Sequence, residues 1–140
     1  NMTRFNITIS QGVKMVISAI KNSLGGELFV PKIPSIKITD LAEAIGPSCE
    51  KEIVGIRPGE KIHEEMITKS DSFNTFEIDD KYIIFPSDPI YSEKYTISGK
   101  NIKPVNSGFS YNSGENDRFL NIFEIRKLIT ENVDSTFKPI

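Results

Sequence analysis

The sequence predicts an α+β fold, and three observations carry that prediction: an apolar stripe at helical spacing near the start, short β-rich runs stopped by glycine or proline, and a closing segment with the signature of a capped helix. Ser10 can cap a helix whose Val13, Val16, Ile17 and Ile20 share one face and which ends before Gly25-Gly26, giving one buried stripe. Glu27-Leu28-Phe29-Val30 reads as a strand stopped by Pro31. Thr39 is placed to cap a second helix through Leu41, Ala44 and Ile45, ending at Gly46-Pro47. Glu52 to Ile56 then reads as a strand, and Lys61 to Ile67 as a short helix.

Further along, Thr75 to Ile78 and Lys81 to Phe85 can pair as a hairpin around Asp79-Asp80, a turn without glycine. Residues 86–118 are rich in Ser, Asn, Gly and Pro and read as an irregular arm, either functional or packed on a partner. A helix over 121–133 closes the chain. Asn121 with Glu124 three positions on fits a capping box, Leu120 and Ile125 fit a hydrophobic staple, and Ile125, Leu128 and Ile129 share a face.

The 140 residues suit one domain with a modest core, and 38% hydrophobic with 26% charged residues is ordinary for a globular chain. A formal charge of -2, with basic and acidic residues interleaved, gives no footprint for nucleic acid. No apolar run is long enough for a membrane span, and the first residues lack the regions of a signal peptide. A lone cysteine, Cys49, forms no internal disulfide, which fits the cytoplasm, and without an evident histidine partner it reads as an inert side chain and not a nucleophile. The opening Asn1-Met2-Thr3 reads as a cut through a continuing chain.

Gly55-Ile56-Arg57-Pro58-Gly59-Glu60-Lys61-Ile62-His63-Glu64-Glu65-Met66 is the segment richest in chemistry. A guanidinium presents a planar fork of donors matched to phosphate oxygens, Gly59 allows a tight turn, and Glu60 can accept hydrogen bonds from ribose hydroxyls. These residues fit a nucleotide-diphosphate clamp, and they fit equally an ordinary strand–turn–helix corner with a surface arginine.

Over most of its length the chain resembles the C-terminal half of the inverting UDP-N-acetylglucosamine 4,6-dehydratases, members of the extended short-chain dehydrogenase/reductase superfamily. Met2-Thr3-Arg4-Phe5, the run from Gly26 through Val30-Pro31-Lys32-Ile33-Pro34 to Ile45, the Arg57 motif, and Gly108-Phe109-Ser110-Tyr111-Asn112-Ser113 with Asn116-Asp117 carry the likeness. Between about Lys69 and Lys103 it is loose. The resemblance implies that residues 1–140 are the sugar-nucleotide-binding portion of a longer enzyme. It also implies that the 27–30 strand and a helix complete the Rossmann-like domain of a missing N-terminal half. That half would bind NADP, and the whole enzyme would make a UDP-4-keto-6-deoxy amino sugar of the kind used in pseudaminic acid or surface-glycan synthesis, as a homo-oligomer.

By the same resemblance Arg4 and Arg57 approach one diphosphate from different sides, and Glu60 completes the substrate-binding set. Read without it, Arg4 is a terminal surface arginine. His63, the single histidine, lies among Glu60, Glu64 and Glu65 and is expected to pair with a neighbouring carboxylate instead of acting in catalysis. Phe109, Tyr111 and Phe119 are expected to anchor the arm and not to stack bases. No spacing supports a metal site. No Gly-x-Gly-x-x-Gly follows a strand, and the family's catalytic acid and lysine-bearing motifs are absent, so this portion by itself is expected to be inactive. The alternatives are another UDP-sugar epimerase, a retaining dehydratase, or a non-catalytic sugar-nucleotide-binding or interaction module.

Overall fold

A computed structural model describes residues 1–88, 90–97 and 101–140. The elements in chain order are β1 (Thr3–Phe5), α1 (Ile9–Asn22), β2 (Leu28–Pro31), β3 (Ser35–Lys37), α2 (Ile38–Ile45), β4 (Glu65–Ile67), a 3-10 turn (Asp71–Asn74), β5 (Thr75–Ile78), β6 (Lys81–Ile84), α3 (Ile90–Ile97), β7 (Lys103–Pro104), β8 (Tyr111–Asn112) and α4 (Ile122–Asn132). The length suggested one domain, but the chain divides into two compact units. One comprises Asn1–Thr8, Ile33–Glu64 and Asn112–Ile140, and the other Ile9–Lys32 and Glu65–Tyr111.

In the first unit β1 and β3 pair antiparallel, with Arg4 opposite Ile36. Ser35 also bridges to Phe119 in parallel, its N–H donating to Arg118 O and its carbonyl accepting from Leu120 N, each at 2.9 Å. The core beneath is Ile36, Ala44, Leu120 and Ile125, with Leu41, Ile122, Leu128 and Ile129 packed against it. Each of the leucine and isoleucine side chains contributes about 1.5–3 kcal/mol when fully buried, and α2 and α4 supply most of them because their apolar residues recur every three or four positions.

The start of α4 is fixed by its own residues. Asn121 Oδ1 accepts from Glu124 N at 3.0 Å and Glu124 Oε2 accepts from Asn121 N at 2.9 Å, a closed capping box. Leu120 and Ile125, the expected staple pair, both lie in the core. By contrast, α2 begins at Ile38 with Lys37 as its N-cap and no side-chain cap, so Thr39 sits inside the first turn instead of capping it. At the other end Arg126 donates to the carbonyls of Ala44 (3.0 Å) and Glu43 (3.3 Å), satisfying groups that a helix end leaves open.

The second unit is built on a four-stranded antiparallel sheet in the order β2-β6-β5-β7. Its hairpin β5–β6 turns at Asp79-Asp80, and without a glycine the left-handed conformation falls to Asp79 (φ 48°), a residue type that tolerates it. Strand β2 lies at the edge of this sheet, where β6 pairs with it from Leu28↔Ile84 to Pro31↔Lys81. Ile78, Ile83, Phe85 and Tyr95 form the core, with Phe29, Phe76, Tyr91 and Ile102 against it.

Tyr95 comes from α3, which lies within the stretch expected to be an irregular arm. Strands β7 and β8 also fall in 86–118, while residues 89 and 98–100 of that stretch lie outside the described residues. Burial and the neighbouring Glu27 carboxylate, which accepts the Tyr95 hydroxyl proton at 2.9 Å, push the phenol well above its ordinary range. Phe109 and Tyr111 pack on the Tyr82 ring with centroids at 5.1 and 5.3 Å, so they anchor their segment and do not present a free stacking face.

The stripe of α1 is not buried as expected. Val13, Val16, Ile17 and Ile20 are 52%, 58%, 47% and 74% exposed, and no α1 residue is buried among the described residues. The helical period is therefore present without the packing that it predicts. Ser10 lies inside α1, which begins at Ile9.

Candidate anion-binding site

The residues singled out for ligand binding all belong to the first unit. Upstream of the Arg57 motif the expected strand over 52–56 does not form; the backbone there is irregular, and Ile53 and Val54 are 95% and 82% exposed. β-Branched residues such as Ile53, Val54 and Ile56 favour a strand only when another strand pairs with them. The turn itself is well defined. Glu60 N donates to Arg57 O at 3.0 Å, Pro58 and Gly59 occupy the two central positions, and Gly59 has φ +79°. Those are the features of a type II turn, in which proline presets the first φ and glycine alone takes the second without strain.

The Glu60 carboxylate then ties three features together. Its Oε2 accepts from Arg57 N at 3.3 Å, closing the turn from outside, and its Oε1 lies 3.2 Å from Arg4 Nη2. Arg4 is held further by donation from Nη1 to the carbonyls of Thr3 (2.7 Å) and Ile62 (3.2 Å), and its Nε lies 3.9 Å from Glu64 Oε1. The other Glu64 oxygen, Oε2, accepts from Phe5 N at 2.7 Å. Arg57 is exposed, and its guanidinium pairs with none of the described residues.

Two arginines are balanced here by two glutamates, so the site is not a basic patch that would attract any polyanion. Arg4 meets Glu60 through one of its terminal nitrogens only, at a partly exposed position, and such pairs are worth about 0–1 kcal/mol. A ligand phosphate with several oxygens can replace that contact at little cost, while the carbonyl contacts of Nη1 keep the guanidinium in place.

Behind Arg4 lies a polar cluster that the sequence did not announce. Thr3 and Ser113 are buried, and their hydroxyls lie 2.7 Å apart. Thr3 Oγ1 is also 2.8 Å from His63 Nδ1, Ser113 Oγ accepts from Glu64 N at 2.9 Å, and Ser113 N donates to Glu64 O at 2.8 Å. This clasp corrects two expectations. Residues 61–67 form no helix: Ile62 O accepts from Thr3 N at 3.0 Å, Glu64 pairs with Ser113, and Glu65–Ile67 is β4. His63 partners the Thr3 hydroxyl and not a neighbouring carboxylate. Gly114 packs so closely on the imidazole that a Cβ there would lie 2.6 Å from ring atoms. The available signal for the cluster was Ser113 at the end of the Gly-Phe-x-Tyr-x-Ser element, but nothing local ties it to Thr3.

Scaffold and constellation together define a class: an α+β chain whose Pro-Gly turn carries one exposed arginine, Arg57, and is tied by the Glu60 carboxylate to a second, Arg4. Comparison with known proteins gives the particular family. The sequence profile of the polysaccharide biosynthesis protein family matches residues 1–86, and the chain belongs to that family. It is 42% identical over 132 residues to the inverting UDP-N-acetylglucosamine 4,6-dehydratase of one Campylobacter jejuni strain and 43% identical over 132 residues to that of another. A UDP-glucose 4-epimerase from Rickettsia canadensis is 31% identical over 135 residues, covering 92% of this chain. Among solved structures, Pen from Bacillus thuringiensis superposes with a TM-score of 0.74 at 33% identity over 93% of this chain. The chain covers 91% of its own length in the Campylobacter comparisons and 40% of theirs, so it spans about two-fifths of those relatives. Among the described residues no helix is long and apolar enough to cross a membrane.

Proposed function

We propose that this chain is the sugar-nucleotide-gripping portion of a UDP-N-acetylglucosamine 4,6-dehydratase that inverts carbon 5, with Arg57 and Arg4 on the diphosphate and Glu60 on the ribose. The observation that carries the proposal is the Glu60 carboxylate, which joins the Arg4 side chain to the Arg57 turn and so brings residues 56 positions apart to one place. Similarity to the Campylobacter dehydratases supplies the reaction class and the sugar. The 140 residues carry no glycine-rich loop fit for a dinucleotide, so NADP belongs to the remainder of the parent protein and these residues supply binding and orientation only. Binding energy gathered at the UDP would position the sugar for chemistry performed elsewhere. In that parent the exposed α1 stripe would meet the missing half, and the portion alone would be inactive. The cytoplasm, homo-oligomeric assembly and a role in pseudaminic acid or surface-glycan synthesis complete the proposal.

The similarity to a UDP-glucose 4-epimerase favours a second reading, in which the same grip serves epimerisation. Product analysis with UDP-N-acetylglucosamine separates the two, since a dehydratase gives a 4-keto-6-deoxy sugar and an epimerase a C4 epimer. Titration of UDP, UMP and uridine into the full-length protein tests the grip itself. Affinity should fall in that order, and equal affinity for UMP and UDP would contradict a clamp on the diphosphate.

A further inference from the structure

We propose that Ser113 and Thr3 are positioning residues for Arg4, acting through Glu64 and the 60–64 segment without touching the ligand. The proposal rests on the clamp described above and adds what holds it in register. Apart from the 2.7 Å bond from Nη1 to Thr3 O, Arg4 is aimed by one short stretch: Glu60 Oε1 and Ile62 O accept from its terminal nitrogens, and Glu64 Oε1 flanks its Nε. That stretch has no helix or sheet of its own before Glu65, so something else must fix it.

Ser113 does so with both its backbone and its side chain. Its N–H donates to Glu64 O and its hydroxyl accepts from Glu64 N, so both polar groups of one peptide position are clasped by a residue 49 positions away. The hydroxyl is fully buried and also meets Thr3 Oγ1, which in turn meets His63 Nδ1. With Nδ1 accepting, the protons run from Ser113 to Thr3 to His63, and each hydroxyl both donates and accepts. Thr3 precedes Arg4 directly, and its own N–H donates to Ile62 O at 3.0 Å. The cluster therefore locks the strand that bears Arg4 to the segment that aims it. The two hydroxyl-bearing residues are not placed for direct contact with a phosphate, since Thr3 and Ser113 are 4% and 0% exposed, whereas His63 at the end of the run lies at the surface.

A double-mutant cycle on UDP affinity in the full-length protein tests this, because a residue that acts through Arg4 has nothing to act through once Arg4 is gone. Ser113→Ala and the isosteric Thr3→Val should each weaken UDP binding about three- to tenfold with Arg4 present, the scale of a lost hydrogen bond. Each should weaken it less than about twofold in the Arg4→Ala background. Thr3→Val keeps side-chain volume and serves if Ser113→Ala fails to fold. Equal losses in both backgrounds, or no loss while Arg4→Ala itself weakens binding, would overturn the positioning role and leave the clamp intact. An Arg4→Ala protein that binds UDP as well as wild type would instead overturn the clamp at Arg4, and the positioning role with it.

Discussion

The guanidinium of Arg4 and the carboxylate of Glu60 meet at 3.2 Å although 56 positions separate them in the chain. Because Glu60 also accepts from Arg57 N, its loss should free the Arg57 backbone N–H and release Arg4 together, while the Pro58-Gly59 turn persists. Glu60→Ala is expected to weaken UDP binding by about 0.5–1.5 kcal/mol and to change stability by less than about 1 kcal/mol, the usual ceiling for an exposed pair. Calorimetry with UDP beside thermal unfolding checks both.

Two glycines should respond with opposite signs. Gly59 has φ +79°, so Gly59→Ala should strain the turn by about 1 kcal/mol and weaken UDP binding. Gly12 lies within α1 with open space where a Cβ would go, so Gly12→Ala should stabilise the protein by about 0.5–1 kcal/mol without altering UDP affinity. Urea midpoints and UDP titrations of the two variants give the comparison.

Arg126→Ala removes the donors to Ala44 O and Glu43 O at the end of α2. A loss of about 1.5–3 kcal/mol is expected, the scale of hydrogen bonds to a charged group, seen as a lower urea midpoint. UDP affinity of the folded variant should remain that of wild type, since among the described residues Arg126 donates to Ala44 O and Glu43 O and to none of the Arg4 cluster.

Acid stability should depend on Glu77. Hydrogen bonding from the Lys32 ammonium, aided by its charge, holds the Glu77 carboxyl below its ordinary value of 4.5. A folded pKa below the unfolded one means that the contribution is fully present above the ordinary value and is lost as the pH falls through the folded value. The melting-temperature difference between wild type and Glu77→Gln should therefore be constant near neutrality and shrink towards zero in acid. A difference that grows with acidity would contradict the assignment.

The elements legible in the sequence are those whose causes are local. The capping box of α4 needs only Asn121 and Glu124, the Arg57 turn needs only Pro58 and Gly59, and the β5–β6 hairpin turns where two aspartates interrupt two apolar runs. The misses have distant causes. Ile62 and Met66 are spaced as on a helix, but Thr3 and Ser113, 59 and 49 positions from Ile62 and Glu64, take the backbone groups that a helix would use. The 52–56 run carries Ile53, Val54 and Ile56, residue types that favour a strand, but no strand among the described residues pairs with it. Helix α3 went unread because its Tyr91 and Tyr95 are the main clue in an otherwise polar stretch, and their burial depends on Phe85 and the sheet. For the site, Arg57 and Glu60 were visible as a motif, Arg4 only through a family resemblance, and Thr3 and Ser113 only once folding had joined them.

The central claim is that Arg57 and Arg4 grip a diphosphate, and the most direct measurement is UDP affinity of the full-length protein carrying Arg57→Ala or Arg4→Ala, by calorimetry. Arg57→Ala should weaken binding by about 1.5–3 kcal/mol, the scale of hydrogen bonds to a charged group, and Arg4→Ala to a similar or smaller degree, with NADP occupancy unchanged. Wild-type affinity for UDP in both variants would contradict the account.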